Sequence, residues 1–310
     1  MNHVCVVFPG QGSQNANMLD GFSSNEVFVD TLKHASNILG YNISEIVGSD
    51  KLGDTLYTQP IIVAVSIAIW RAIQDQHKFV PIVGAGHSLG EYTAMVAAEV
   101  LTLEACLDLV SKRAELMTKA NENRPTLMAA IIGLDRDRVA ELCKEMSSDK
   151  SIIEAVNYNS SQQTVIGGDE DAISQSLEIF KKEGAKLAKK LDVSLASHTS
   201  LMKSCSEELH KTMINMNFMK PKFEIIQNYD ASSNTEIDGI IDSLSKQVYS
   251  PVKWVDSINK ISEMDIEAFL EIGPGKVLSG LIKRIDKKSP CYSLDSESTS
   301  NDVFSNIKNG

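Results

Sequence analysis

Ser88 stands in Gly86-His87-Ser88-Leu89-Gly90. This G-x-S-x-G spacing lifts a serine onto a sharp strand-to-helix turn, where its hydroxyl can act as a nucleophile. The flanks suit that geometry. Apolar Phe79-Val80-Pro81-Ile82-Val83-Gly84-Ala85 reads as a buried strand, and residues 91–100, small and apolar, read as a helix. Glycine on either side lets the backbone turn where a side chain would clash. The start of the helix aims free N–H groups at whatever the serine binds. An ordinary Gly/Ser turn produces the same five letters, so the pentapeptide needs support from elsewhere in the chain.

A serine nucleophile needs a base. Of six histidines, His3 and His34 lie in segments without other chemical signals, and His77 and His210 fall on polar helix faces or ends. His87 neighbours Ser88, but side chains adjacent at such a turn diverge, which suits His87 to lining a pocket. His198 in Leu195-Ala196-Ser197-His198-Thr199 is the remaining candidate, either as base or as a structural residue. Arg113 is the other unusual side chain. On a helix expected over 103–119, its neighbours at helical spacing are Cys106, Leu109, Val110, Leu116 and Met117, all apolar. An arginine on a buried stripe needs an anion. A distant acid, a snorkelling side chain or a substrate carboxylate gripped by the planar guanidinium would each answer that need. Gln11, in Pro9-Gly10-Gln11-Gly12-Ser13-Gln14 after a strand, belongs to a glycine-rich loop that matches no nucleotide fingerprint.

The elements that must hold these residues alternate strand and helix, which points to α/β architecture. Thr58-Gln59-Pro60 reads as a helix start with proline in its first turn. Between Asn123-Arg124-Pro125 and Asp192, strands at 127–132, 151–156, 164–167 and 185–191 and helices at 135–146 and 170–182 follow the order βαββαβ. We therefore expect a ferredoxin-like domain over 125–194, inserted into a larger α/β domain of 1–124 and 195–310. Strands at 223–226 and 266–271 belong to the larger one.

Composition narrows the class. The 310 residues are 43% hydrophobic, as in soluble globular chains. Cys5, Cys106, Cys143, Cys205 and Cys291 show neither C-x-x-C spacing nor pairing with histidine. No disulfide scaffold or metal site is expected, and a reducing cytoplasm is. Strand-like Val4-Cys5-Val6-Val7-Phe8 follows Met1 almost at once, so no signal peptide is expected. The most apolar run, 61–70, is too short for a bilayer, and no membrane association is expected. A net charge of −11 argues against nucleic-acid binding.

Seven segments in this order resemble the malonyl-CoA–acyl carrier protein transacylases of fatty-acid synthesis and the related acyltransferase domains of polyketide synthases. They are Phe8-Pro9-Gly10-Gln11-Gly12-Ser13-Gln14, Thr58-Gln59-Pro60, Gly86-His87-Ser88-Leu89-Gly90-Glu91-Tyr92, Arg113 twenty-five residues after the serine, Ser197-His198, Gln247-Val248-Tyr249-Ser250-Pro251-Val252-Lys253-Trp254, and Glu271-Ile272-Gly273-Pro274-Gly275-Lys276-Val277-Leu278. The resemblance implies a hydrolase-like domain with a ferredoxin-like insertion. It implies Ser88 as acyl acceptor, His198 as base, Arg113 as clamp for the malonyl carboxylate, and the backbone N–H groups of Gln11 and Leu89 as oxyanion hole. It also implies that a backbone carbonyl near Gln247 orients His198. The substrates would be malonyl-CoA and phosphopantetheinylated acyl carrier protein, with no further cofactor, and the protein a cytoplasmic monomer.

Three departures stand out. Ala196 replaces the proline common before Ser-His. The segment Asn157-Tyr158-Asn159-Ser160-Ser161-Gln162-Gln163 lacks the usual Pro-Gly, which implies a mobile loop. Ala196-Ser197-His198 also resembles polyketide acyltransferases that take methylmalonyl units. A plain serine hydrolase and a non-enzymatic binding module are the competing readings. The densest basic run, Lys181, Lys182, Lys186, Lys189 and Lys190, is a candidate dock for an acidic carrier protein, or a solvated face.

Overall fold

The computed structural model describes residues 3–193 and 195–309. The larger unit opens with β1 (Val4–Phe8), α1 (Glu26–Leu39), α2 (Ile43–Val47), α3 (Thr55–His77), β2 (Val83–Gly86), α4 (Gly90–Ala97) and α5 (Leu103–Ala120). The chain then runs through β3 (Thr126–Ile132), α6 (Arg136–Met146), β4 (Ile153–Ser160), β5 (Gln163–Asp169), α7 (Glu170–Lys182) and β6 (Leu187–Lys190). It returns through α8 (Lys203–Met213), β7 (Glu224–Ile226), α9 (Ile237–Gln247), α10 (Trp254–Ser262), β8 (Ala268–Glu271), α11 (Val277–Ile285), β9 (Cys291–Ser293) and α12 (Glu297–Asn309).

Two sheets result. The first is parallel throughout, in the order β7-β2-β1-β8-β9. β1 is apolar at all five positions and buried at each, as a strand covered on both faces must be. Separate apolar clusters pack on its two faces: Val4, Val6 and Phe8 on one, Cys5 and Val7 on the other. The second sheet is antiparallel in the order β4-β5-β3-β6, with α6 and α7 supplying its core. The βαββαβ order read from the sequence is present. Ser194, the last residue of the expected insertion, lies outside the described residues.

Four sequence expectations are corrected. The helix expected to start at Thr58 starts at Thr55, because the Asp54 side chain caps it by accepting from Leu56 N at 3.0 Å. Pro60 is thus its sixth residue and leaves the Leu56 carbonyl without its helical donor. The apolar run at 61–70 is part of that 23-residue helix, which is long and apolar enough to cross a membrane; 83% of its most apolar window is buried in the fold, the environment of a core helix. The segment Asn157–Gln163 is mostly strand rather than loop: β4 continues to Ser160, and Ser161-Gln162 form a two-residue turn into β5. Residues 79–82 precede β2 rather than belonging to it.

The two sheets are tied together beside the nucleophile turn. Tyr158 N donates to Val252 O and Val252 N to Val156 O, each at 2.9 Å. Arg136 Nη1 donates to Asp256 Oδ1 at 2.7 Å. These bonds set β4 against the mouth of the parallel sheet.

Candidate active site

Parallel pairing of β1 with β2 places Phe8 opposite Gly86, so the Gly10-Gln11 loop and the serine turn leave the sheet side by side. Space there is the reason for glycine. A Cβ on Gly86 would lie 1.9 Å from the Gly90 carbonyl carbon, and one on Gly90 would lie 2.0 Å from Phe8 O. The turn drives Ser88 to φ +52°, a left-handed conformation unusual for serine. It is braced from across the fold: Asn228 Oδ1 accepts from Ser88 N, and Asn228 Nδ2 donates to Gly86 O, both at 2.7 Å.

His198 meets the serine from the opposite side. Its Nε2 lies 2.7 Å from Ser88 Oγ, and its Nδ1 lies 2.7 Å from Gln247 O. A carbonyl only accepts, so Nδ1 carries the proton and Nε2 is the free base facing the hydroxyl. No carboxylate takes part in this bond. His198 N donates to Val248 O at 3.0 Å and the residue sits at φ +64°, so the backbone holds the ring in place. Burial first, then the positive charge of Arg113, push the imidazole down to about pKa 3, which keeps it neutral and basic in function. Ala196, standing where proline is common, donates its N–H to Thr126 Oγ1 at 3.2 Å, a bond proline could not form.

Arg113 is 2% exposed on α5. Its Nη1 donates to Gln59 Oε1 at 2.6 Å, and its Nη2 to Ser88 Oγ at 3.3 Å and Gln247 Oε1 at 3.5 Å. The guanidinium carbon lies 5.4 Å over the Tyr92 ring. All three acceptors are neutral. No carboxylate bonds directly to the guanidinium among the described residues, and the buried side chain does not snorkel, so the arginine faces the serine with its face open to an anion.

Gln11 and Leu89 border the same cavity of about 100 Å³ as Ser88, His198 and Arg113. Their backbone N–H groups have no acceptor among the described residues, as donors held for a substrate oxygen would not. The Gln11 side chain is turned away to Thr55 Oγ1 at 3.1 Å. His87 diverges from Ser88, as expected. Its Nε2 lies 2.8 Å from Asn159 Oδ1, its ring packs 5.3 Å from that of Trp254, and burial lowers its pKa. It lines both this cavity and a neighbouring cleft of about 430 Å³ between the two sheets. His77 stacks on Phe304 and His210 lies 3.1 Å from Ser245 Oγ, so neither competes as base.

Four residues acquire roles that the sequence did not assign. Gln59 and Glu91 sit inside quoted motifs, and Asn159 inside the supposed loop. Asn228 has no local signal, since it reaches the turn only through the β7 strand pairing. Glu271, from the last motif, is structural: its buried carboxylate accepts from Leu278 N at 2.9 Å and Ser279 N at 2.7 Å and caps α11.

Comparison with known proteins agrees with this geometry. Residues 5–296 match the acyl transferase domain family. The chain is 39% identical over 290 residues to the malonyl CoA-acyl carrier protein transacylase of Haemophilus influenzae, covering 92% of this chain and 93% of that one. It is 39% identical to the Staphylococcus aureus protein of the same name, covering 93% and 94%. Among solved structures, FabD from Acinetobacter baumannii superposes with a TM-score of 0.95 at 36% identity, over 99% and 98% of the two chains. A malonyl-transacylase in complex with its type II PKS acyl-carrier protein superposes with a TM-score of 0.95 at 36% identity, over 98% and 100%. Matched along almost its whole length by proteins of one name, the chain belongs to the malonyl CoA-acyl carrier protein transacylase family.

Proposed function

We propose that this enzyme transfers the malonyl group of malonyl-CoA through a Ser88 ester to the phosphopantetheine thiol of acyl carrier protein, supplying fatty-acid biosynthesis. The observation that carries the reading is convergence on one atom: Ser88 Oγ lies 2.7 Å from His198 Nε2 and 3.3 Å from Arg113 Nη2. A base and a cation with no carboxylate bonded to it flank the same hydroxyl. Hydrolysis of a neutral ester needs only the base.

In the first half-reaction, the Ser88 proton passes to His198 Nε2 as Oγ attacks the thioester carbon. The N–H groups of Gln11 and Leu89 hold the oxyanion. Collapse expels the coenzyme A sulfur, which takes the proton from His198. Arg113 grips the far carboxylate of the acyl group, helped by Gln59 and Gln247, which fix the guanidinium plane. In the second, the carrier thiol gives its proton to His198, its sulfur attacks the malonyl ester, and Oγ leaves with that proton. The neighbouring cleft, where His87 and Asn159 meet, receives the thioester arm.

The parallel-sheet unit, 1–124 with 195–310, is read as a hydrolase-like catalytic domain, and 125–194 as its ferredoxin-like insertion. The enzyme works in the cytoplasm as a monomer and uses no metal or further cofactor. A second reading, supply of a polyketide carrier, is favoured by the likeness to the relative seen with such a carrier; its chemistry is the same, and turnover with each carrier type separates the two.

Intact mass after incubation with malonyl-CoA tests the reading. The wild-type protein should gain one malonyl group, and Ser88→Ala should gain none while keeping its fold. Transient gain followed by release of free malonate would favour a hydrolase; no gain at all would favour a binding module.

A further inference from the structure

Glu91, on α4 directly behind the serine turn, is fully buried. Its Oε2 accepts from Gln247 Nε2 at 2.8 Å and Asn228 N at 3.0 Å, and its Oε1 from Gln227 Nε2 at 3.3 Å. Every partner is an N–H donor, so a proton on this carboxyl would have nowhere to point. The Gln247 carboxamide then spans from Glu91 to Arg113. Its Nε2 faces Glu91 and Ser88 O, and its Oε1 faces Arg113 Nη2. Chemistry fixes this orientation. Reversal would set the amide oxygen against a carboxylate and a carbonyl, and the NH₂ against a guanidinium.

Arg113 is nearly as buried as Glu91, and its three bonded acceptors bring dipoles but no charge. A buried cation without compensation is strongly destabilising. A carboxylate bonded straight to the guanidinium would compensate it but would also occupy it. A carboxylate one carboxamide behind supplies the charge and leaves the guanidinium open, with the intervening amide dipole aligned to join the two.

We infer that Glu91 is the counter-anion of Arg113, coupled to it through the Gln247 carboxamide, and that its charge limits how tightly the guanidinium holds a second carboxylate on the acyl group. The first half stands on this geometry alone; the second rests on the function proposed above.

Glu91→Gln is the informative variant. Both Gln247 Nε2 and Asn228 N bond to one oxygen of Glu91, which a glutamine can retain; the bond from Gln227 to the other oxygen is lost in either background and cancels in the cycle. Burial pushes the Glu91 carboxyl up to about 7, so measurements belong at about pH 8.5, where it is ionised. Thermal unfolding of wild type, Glu91→Gln, Arg113→Met and the double variant forms a cycle. Glu91→Gln should lower Tm by roughly 5 °C alone, and by clearly less once Arg113 is methionine. Should the single variant fail to fold, folding of the double variant is the same result. Equal losses in both backgrounds, or failure of both variants to fold, would overturn the pairing. In kinetics, Glu91→Gln should lower KM for malonyl-CoA about tenfold, since a nearby like charge is gone, and leave KM for acetyl-CoA in place. An unchanged or raised malonyl-CoA KM would overturn the second half. Absence of malonylation in the wild type would overturn the proposed function instead, and the Tm cycle would still decide the pairing.

Discussion

At the scale of single residues, the proposed function makes Arg113 the group that would decide between substrates. Malonyl differs from acetyl by a carboxylate at the end remote from the thioester. Removing the guanidinium leaves that anion unpaired in a buried site, a cost of about 3–5 kcal/mol. Arg113→Ala should therefore lower malonyl transfer by roughly 10²- to 10³-fold, while acetyl transfer holds or rises. The check is the ratio of kcat/KM for malonyl-CoA and acetyl-CoA in both proteins; a constant ratio would make Arg113 structural. His198 makes a second prediction. With its pKa pushed down from 6.5 to about 3, it stays a neutral base in mild acid, so acylation rates should show no histidine titration between about pH 7 and 5. Stability should behave differently. The unfolded chain takes up a proton below 6.5 that the folded protein refuses, whereas Glu91, raised to about 7, acts in the opposite sense. As pH drops through that range, Tm should therefore fall more steeply in the wild type than in His198→Gln. A rate loss centred near 6.5 would contradict the assignment of a buried neutral base. Ser88 and Arg113 were legible because turn spacing and helical periodicity are local. Glu91 and Asn228 were not: a carboxyl's role depends on partners 137 and 156 positions away, and a lone asparagine carries no pattern.

At the scale of elements, β6 is an edge strand of the antiparallel sheet, and Lys182, Lys186, Lys189 and Lys190 on and before it are exposed. Lys181 is paired with Glu178 at 2.7 Å. The strand leads into Leu191, Asp192 and Val193, which line the cleft beside the serine. Lysines on an open edge discourage strand pairing and here also lie where an acidic carrier would arrive. Charge reversal at Lys182 and Lys186 should raise KM for carrier protein several-fold and leave acylation by malonyl-CoA unchanged. Equal effects on both half-reactions would remove the docking role. Elements with strong periodicity, such as α5 and α7, were readable to within a residue or so. The start of α3 was misplaced because Pro60 favours a first turn on general grounds, whereas Asp54 caps the helix so that it begins at Thr55, three residues before Thr58. The Asn157–Gln163 segment read as a more mobile loop because it lacks the Pro-Gly usual in the family, yet pairing with β5 and with Val252 makes most of it strand.

At the scale of the molecule, the alternation of elements was legible, and the joining of the two sheets was not. Arg136 with Asp256, and Tyr158 with Val252, are contacts that no local pattern announces. They matter because they bring Asn159 to His87 and shape a cleft of about 430 Å³ leading to the smaller cavity at Ser88. In the proposed function one route would serve both thioesters: coenzyme A would leave by the path through which the carrier's arm enters. The most direct measurement is the intact mass of holo acyl carrier protein after incubation with malonyl-CoA and a catalytic amount of enzyme. The expected result is full loading of the carrier with one malonyl group by the wild type and none by Ser88→Ala. A carrier left unloaded while Ser88 itself becomes malonylated would contradict transfer as the function of this protein.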